Sequence, residues 1–479
     1  MDRGKFGKMG VILATAGSAV GLGNVWRFPY MAGQNGGAAF FLIYFACILL
    51  LGIPGMVSEF IVGRHAQANA ARAYDKIGKT ARQQSVGGDS QSATVNNQQS
   101  VGGVSPSATT TRWRYVGYLG ILTSSIILGF YAVVAGWCLQ YLVASLLGHL
   151  NGDAAYVLDY FQSFSSDPLK PCLWGVAFVL ITHLVITRGV KGGIERASKV
   201  LMPLLLLLLV VLVVAVCVLP GAVSGIRFLL LPDFSRVSSS VLLEALGQAF
   251  FSLSLGTACL CTYASYFSHD TNLLRSATKI ALLDSLIAIL AGLVIFPAAF
   301  SVGVEPDSGP SLIFITLPNV FQQAFASVPA VGYVIAIMFY ALLVFAALTS
   351  TISMHEIGTA FFHEEKHLPR GEAAWIVTAG CSVLAVFCSL SVGAWPGLKV
   401  LGLSLMDFCD LITAQIMLPA GALFTSILLG WFASRQVLRD EFTNRGTLRG
   451  RLFTAWLFTV KFVVPVCIIL IFLHQFGVV

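Results

Sequence analysis

The sequence predicts an all-α membrane protein of about eleven transmembrane helices, arranged as a 5+5 inverted repeat with helices 1 and 6 broken. Three observations predict it. The 479 residues are 57% hydrophobic and only 11% charged, with a mean hydropathy of +0.82, whereas an ordinary soluble domain carries about 25% charge. The apolar residues fall in repeated runs near the ~20 residues that a helix needs to cross hydrocarbon. Two of these runs are interrupted by small and polar residues, five helices apart, and paired interruptions in matching positions point to inverted repeats.

The first run, 9–33, begins as an apolar helix and then collects Gly17, Gly21, Gly23, Asn24 and Arg27 in "AGSAVGLGNVWRFPY" (residues 16–30). Gly17 and Gly21 alone form a helix-packing pair. Gly23-Asn24, followed by Arg27 and Pro29, goes beyond packing. Irregular backbone at membrane depth is tolerated only where protein buries it or it lines a polar cavity, and a break there frees carbonyls for a cation and N–H groups for an anion. Runs at 38–63, 115–147, 172–188 and 200–219 complete a first repeat, residues 1–219. The sixth run, 241–267, repeats the interruption in "GQAFFSLSLGTACLCTYASY" (residues 247–266), with Ser252, Ser254, Gly256 and Thr257 inside it. Runs at 276–303, 331–362, 373–392 and 405–432 complete a second repeat, residues 220–432. Residues 433–479 supply a loop and an eleventh run, 453–476.

Charge sets the orientation. Of the 29 Lys and Arg residues, Lys170, Arg227, Arg236 and Lys399 fall in loops on one side, while Arg27 and Lys461 lie within spans. The remaining 23 share the other side, which the positive-inside rule makes cytoplasmic. The chain is thus expected in the cell (inner) membrane with its N-terminus inside, and the net charge of +7 reports topology rather than a nucleic-acid partner. The ten cysteines form no C-x-x-C pair, so neither a disulfide framework nor a zinc cluster is expected. Between the second and third runs, "QQSVGGDSQSATVNN" (83–97) is followed by its near-copy "QQSVGGVSPSATTTR" (98–112). This polar, Gly/Ser/Gln-rich tract cannot build a core, and 80–112 is expected to be a disordered cytoplasmic linker.

The stretches "GSAVGLGNVWRFPY", "NGGAAFFLIYF", "GIPGMVSEFIVGR", "GGIERASKVLMP", "GQAFFSLSLG", "TYASY" and "ALTSTIS" closely resemble the neurotransmitter:sodium symporter family, prokaryotic branch. The resemblance runs from about Arg3 to the end, excluding the duplicated tract. It implies sodium-coupled import of an amino acid by alternating access with two Na⁺; an apolar or aromatic amino acid is expected, and, from Asp284 and Ala288 below, no chloride. One sodium site would use Ala19, Asn24, Ser252 and Asp284. The family typically has Thr at position 252 and often Asn at position 284. A second site would use Gly17, Val20, Ala346, Thr349 and Ser350, the last three at i, i+3 and i+4 on one helical face. The substrate carboxylate would meet the N–H groups around Leu22 and Gly23 and the Tyr131 hydroxyl, and its ammonium the carbonyls of Ala19, Phe251 and Ser252. Ile127, Ser254, Thr257, Ser350 and Met354 match positions that line the side-chain pocket.

Two departures sharpen this reading. Amine-transporting relatives carry Asp at position 21, whereas Gly21 supplies no carboxylate and so favours a substrate that brings its own. Chloride-dependent relatives place Ser at position 288, where this chain has Ala288, and Asp284 offers negative charge one turn earlier. The resemblance also implies an outer gate of Arg27 with Asp407, or Asp410, and an inner gate of Arg3 with Glu364, assisted by Tyr266. Plainer readings exist: Ser and Thr bonding back to their own helix, Tyr131 and Phe251 as core aromatics, and Asp284 as a protonated structural acid. Two other functions compete. One is a sensor that binds without transporting. The other is an intramembrane zinc hydrolase, from "HEEKH" (363–367) in the H-E-x-x-H pattern.

Overall fold

The computed structural model describes residues 5–87, 110–303 and 312–475. Among these residues, nine helices are long and apolar enough to cross a membrane: Ala38–Ala66, Arg114–Leu146, Lys170–Thr187, Val190–Cys217, Leu273–Ser301, Pro329–Glu365, Arg370–Val392, Leu405–Phe432 and Phe453–Gln475. These are spans 2, 3, 4, 5, 7, 8, 9, 10 and 11. Span 1 is a pair of helices, Met9–Ala19 and Gly23–Gln34, bent by 53°. Span 6 is also divided, into Ser239–Ser252 and Cys259–Ala264. Span 8 lies against spans 1, 3, 4, 5 and 9, while span 7 packs on spans 1, 2 and 5. The two breaks therefore sit inside a sleeve of continuous helices.

Each break has a local cause. In span 1, Val20 turns to an extended conformation (φ −74°, ψ 110°). The Gly21 N–H then leaves the helix ladder and donates to the side-chain oxygen of buried Asn24 at 3.1 Å. In span 6, Ser254, Gly256 and Ala258 all take positive φ, at 54°, 83° and 61°. A Cβ at Gly256 would sit 2.2 Å from the Leu418 carbonyl oxygen on span 10, so only glycine fits there. Left-handed backbone at Ser254 and Ala258 costs of order 1–3 kcal/mol each and persists only where neighbours hold it. Buried Glu59 of span 2 accepts the Gly256 N–H at 2.7 Å, and Ser124 of span 3 donates to the Thr257 carbonyl at 2.6 Å.

The linker expectation needs correction at both ends. The helix Ala70–Gly87 continues well past residue 80, and residues 88–109 lie outside the described residues. At the return, the Thr111 N–H and hydroxyl donate to the Asp75 carboxylate at 2.6 and 2.9 Å, and Lys79 reaches it at 2.8 Å. Burial alone would raise the Asp75 pKa, but these donors outweigh it and hold the carboxyl below its usual range. Near the opposite mouth, Lys399–Val400 pairs antiparallel with Leu403–Ser404 through a two-residue turn, in which Leu401 (φ 53°) and Gly402 (φ 83°) are left-handed.

Candidate ion and substrate site

At the meeting of the two breaks, Asn24, Ser252 and Asp284 come together in full burial. The Asn24 amide donates to Asp284 Oδ1 at 2.7 Å and to Ser252 Oγ at 3.1 Å. The Ser252 hydroxyl donates to Asp284 Oδ2 at 2.9 Å. Tyr44 of span 2, also fully buried, donates to the same oxygen at 3.1 Å. A carboxylate at the centre of a membrane helix costs about 2.5–3.5 kcal/mol on insertion scales; three donors from spans 1, 2 and 6 offset that here. Ala19 ends the first half-helix, where carbonyls lose their helical partners. Oxygen atoms of Tyr44, Ser252 and Asp284 thus converge from spans 2, 6 and 7 around the Asn24 amide nitrogen, while the Asn24 oxygen is held by the Gly21 N–H.

A second oxygen cluster joins spans 1 and 8. Thr349 Oγ1 lies 3.3 Å from the Val20 carbonyl oxygen and 3.0 Å from that of Ala346. Ser350 Oγ lies 3.3 Å from Val20 O. The span 1 backbone comes this close because Gly17 has no side chain: a Cβ there would meet Thr349 Cβ at 3.3 Å. All five residues expected from the sequence gather at this junction.

Between the two clusters is a cavity of about 70 Å³, room for several water molecules. Ala19, Gly23, Tyr131, Ser252 and Ser350 contribute to its polar side. Ile127, Phe251 and Met354 line it too, with Phe130 and Leu418, which the sequence did not single out. Ser254 and Thr257 complete the match, but the Thr257 hydroxyl is turned away and donates to the Ser254 carbonyl at 2.7 Å. Leu22 is not in the wall; its N–H reaches inward to the Tyr131 hydroxyl oxygen at 3.0 Å. Gly21 lines the cavity with no space to spare, since a Cβ would lie 2.4 Å from Ser350 Oγ and 3.1 Å from the Tyr131 hydroxyl.

The outer closure differs from the expected Arg27–Asp407 pair, and half of the expected inner pair is not among the described residues. Above the cavity, the Arg27 guanidinium stacks on the Phe251 ring, 4.1 Å from its centroid, a cation–π contact. Asp407 does not pair with Arg27; it accepts from the Ser404 hydroxyl at 2.6 Å, and its own N–H is capped by that hydroxyl at 3.1 Å. Asp410, three residues on, is the carboxylate whose charge reaches Arg27. Below the cavity, Arg3 lies outside the described residues. Glu364 accepts from the Asn69 backbone and side-chain amides at 2.8 and 3.1 Å. The Tyr266 hydroxyl donates to fully buried Glu356 at 2.6 Å, which Arg370 grips with both terminal nitrogens. Phe6 fills the space between the rings of Tyr263 and Tyr266, with centroids 5.6 Å away in each case.

Residues 3–87 and 165–479 match the sodium:neurotransmitter symporter family. The chain belongs to that family. The symporter is 36% identical over 473 residues to the uncharacterized sodium-dependent transporter YhdH of Bacillus subtilis, covering 98% of this chain and 97% of the relative. It is 26% identical to the sodium-dependent dopamine transporter of Bos taurus, over 96% of this chain and 66% of that one. Among solved structures, it is similar to the crystal structure of MhsT in complex with L-phenylalanine, at 35% identity, with a TM-score of 0.84 and 99% of both chains covered.

As a member of a transporter family the symporter is not a zinc hydrolase, and the geometry of "HEEKH" agrees. The helix ends at Glu365; His367 is left-handed (φ 54°) beyond it, and His363 Nδ1 is 2.6 Å from the Leu368 carbonyl oxygen. The two imidazoles therefore do not share a helical face. Tyr44, Glu59, Glu356 and Arg370 escaped sequence reasoning. Tyr44 is one aromatic among several in "FFLIYF", and only the fold reveals that it faces Asp284. The two buried acids did carry a signal, because an ionisable residue inside an apolar run demands a partner.

Proposed function

We propose that this symporter imports a zwitterionic amino acid with an apolar or aromatic side chain, coupled to two Na⁺ and independent of chloride. One observation carries the reading: Gly21, in the cavity wall, leaves no room for a side chain of any kind. The protein thus supplies no carboxylate at that point, and the substrate must bring its own. That carboxylate would take the Leu22 N–H and the Tyr131 hydroxyl, now bonded to each other, and complete the shell of the cation beside Asn24. Ile127, Phe130, Met354 and Leu418 would receive an apolar side chain. MhsT, a similar frame crystallised in complex with L-phenylalanine, supports a substrate of this class.

Two ions entering with a zwitterion draw roughly 2.3 kcal/mol each per 100 mV of membrane potential. A tenfold sodium gradient adds about 1.4 kcal/mol per ion. The combined drive of roughly 7 kcal/mol supports about 10⁵-fold accumulation. The orientation that the basic residues imply places the N-terminus in the cytoplasm, so this drive is inward.

Binding of the twenty amino acids to purified protein, with and without Na⁺, tests the reading. Saturable binding of large apolar or aromatic amino acids that vanishes in potassium is the expected result. Binding without sodium, or a preference for amines lacking a carboxylate, would contradict it. Accumulation in proteoliposomes against a gradient separates a transporter from a sensor. The same assay tests the cavity wall: Gly21→Ala forces a methyl group against Ser350 and Tyr131. It should weaken amino-acid binding about tenfold or more, in line with the ~1–3 kcal/mol cost of overpacking.

A further inference from the structure

A groove of about 600 Å³ opens between the start of span 3 and the end of span 10, outside the transport site. Val116 and Leu119 form one wall; Phe424, Ile427 and Phe432 form the other; Arg112 and Trp113 close its end. The Trp113 and Phe432 rings meet with centroids 5.2 Å apart. Apart from Arg112 its lining is apolar or aromatic, and its rim is open: Phe424 and Phe432 are 42% and 51% exposed. Its level in the membrane is defined by the chain. Arg112 lies two residues before span 3 begins, and Phe432 is the last residue of span 10. Under the orientation proposed above, both mark the cytoplasmic interface, where tryptophan, tyrosine and basic residues anchor at the headgroups.

The two arginines at this end of span 3 behave differently. Arg114 is committed, paired with Glu365 at 2.6 Å and placed over the Tyr118 ring. Arg112 is exposed and makes no ion pair or side-chain hydrogen bond among the described residues. A free guanidinium at the mouth of an apolar groove matches an amphiphile with an anionic head, since a guanidinium offers a phosphate two parallel donors. The adjoining tract 88–109 is poorly suited as the occupant: its apolar residues are confined to Ala, Val and one Pro, and its one charge is Asp89.

We propose that this groove holds an acyl chain of an anionic phospholipid from the cytoplasmic leaflet, with the lipid phosphate paired to Arg112. The lipid would touch spans 3 and 10, both of which also line the substrate cavity.

Native mass spectrometry of protein released from phosphatidylcholine nanodiscs doped with phosphatidylglycerol tests the proposal. Phosphatidylglycerol should be retained about fivefold or more over phosphatidylcholine, the preference that one basic residue near an anionic surface provides. Arg112→Ala should abolish that preference, and Leu119→Trp, which fills the groove, should lower retention of both lipids. Sodium-dependent amino-acid binding, unchanged in both variants, shows that they are folded and keeps the result separate from the function proposed above. Equal retention of the two lipids by the wild type would overturn the proposal, as would a preference that survives Arg112→Ala. Equal retention of the headgroup alone, glycerophosphoglycerol, would also overturn it, by removing the groove from the site. Retention that appears only after residues 88–109 are deleted would make the linker the occupant and overturn it as well.

Discussion

Changing Asp284 to Asn and Ala288 to Ser together is expected to make uptake depend on chloride. The Asp284 carboxylate is fully buried and fully engaged, with Asn24 on one oxygen and Ser252 and Tyr44 on the other. A negative charge here would face the cation proposed beside Asn24. At an effective dielectric near 20 and a separation near 4 Å, that attraction is worth about 4 kcal/mol. Removing it should lower sodium-driven uptake in gluconate on the order of 10³-fold. Ala288, one turn further along span 7 and fully buried, offers no donor; serine there restores one, so a halide can return the missing charge. Uptake of labelled amino acid into proteoliposomes in sodium chloride and in sodium gluconate measures both effects. The wild type should be indifferent to the anion, and the double variant should recover only in chloride. A wild type that already requires chloride would make Asp284 a protonated structural acid.

The second large effect is expected at the junction of spans 1 and 8. Thr349→Ala with Ser350→Ala removes two of five proposed sodium ligands, the hydroxyls that lie 3.0–3.3 Å from the Val20 and Ala346 carbonyl oxygens. Interactions of this kind with a charged group are worth about 1.5–3 kcal/mol each. Sodium affinity should therefore fall by about 10² or more, measured as the sodium concentration that half-saturates amino-acid binding. The plainer role for these hydroxyls, bonding back to their own helix, predicts a lower melting temperature with unchanged sodium dependence. Thr349→Ser paired with wild-type Ser350 keeps both hydroxyls and should preserve sodium affinity, which separates ligation from packing.

Much of the molecule is legible in its amino-acid sequence. Apolar run length is a direct consequence of bilayer thickness, so the limits of the spans can be read closely: the expected 115–147 and 405–432 are observed as Arg114–Leu146 and Leu405–Phe432. The breaks are legible too, because Gly21-Leu22-Gly23-Asn24 and the Ser/Gly cluster of span 6 make sense in hydrocarbon only where backbone lines a cavity. Motif resemblance then names the residues around it, and those in the described part of spans 1, 3, 6, 7 and 8 do gather at one place.

Tertiary structure alone decided the partners. Asp407 could not be separated from Asp410 by spacing, because both follow the same short loop, and a capping bond to Ser404 turns Asp407 away from Arg27. Likewise, Tyr266 bonds to Glu356, an acid that Arg370 on the next span fixes in place. Tyr44 and the groove beside Arg112 carry no local mark, and Glu59 is marked only as an acid in need of a partner; each owes its role to a residue far away in the chain. Sequence determines which segments enter the bilayer and where they must bend, because those are local responses to one solvent. Which buried charge meets which donor depends on the packing of several helices at once, and only the folded arrangement of those helices settles it.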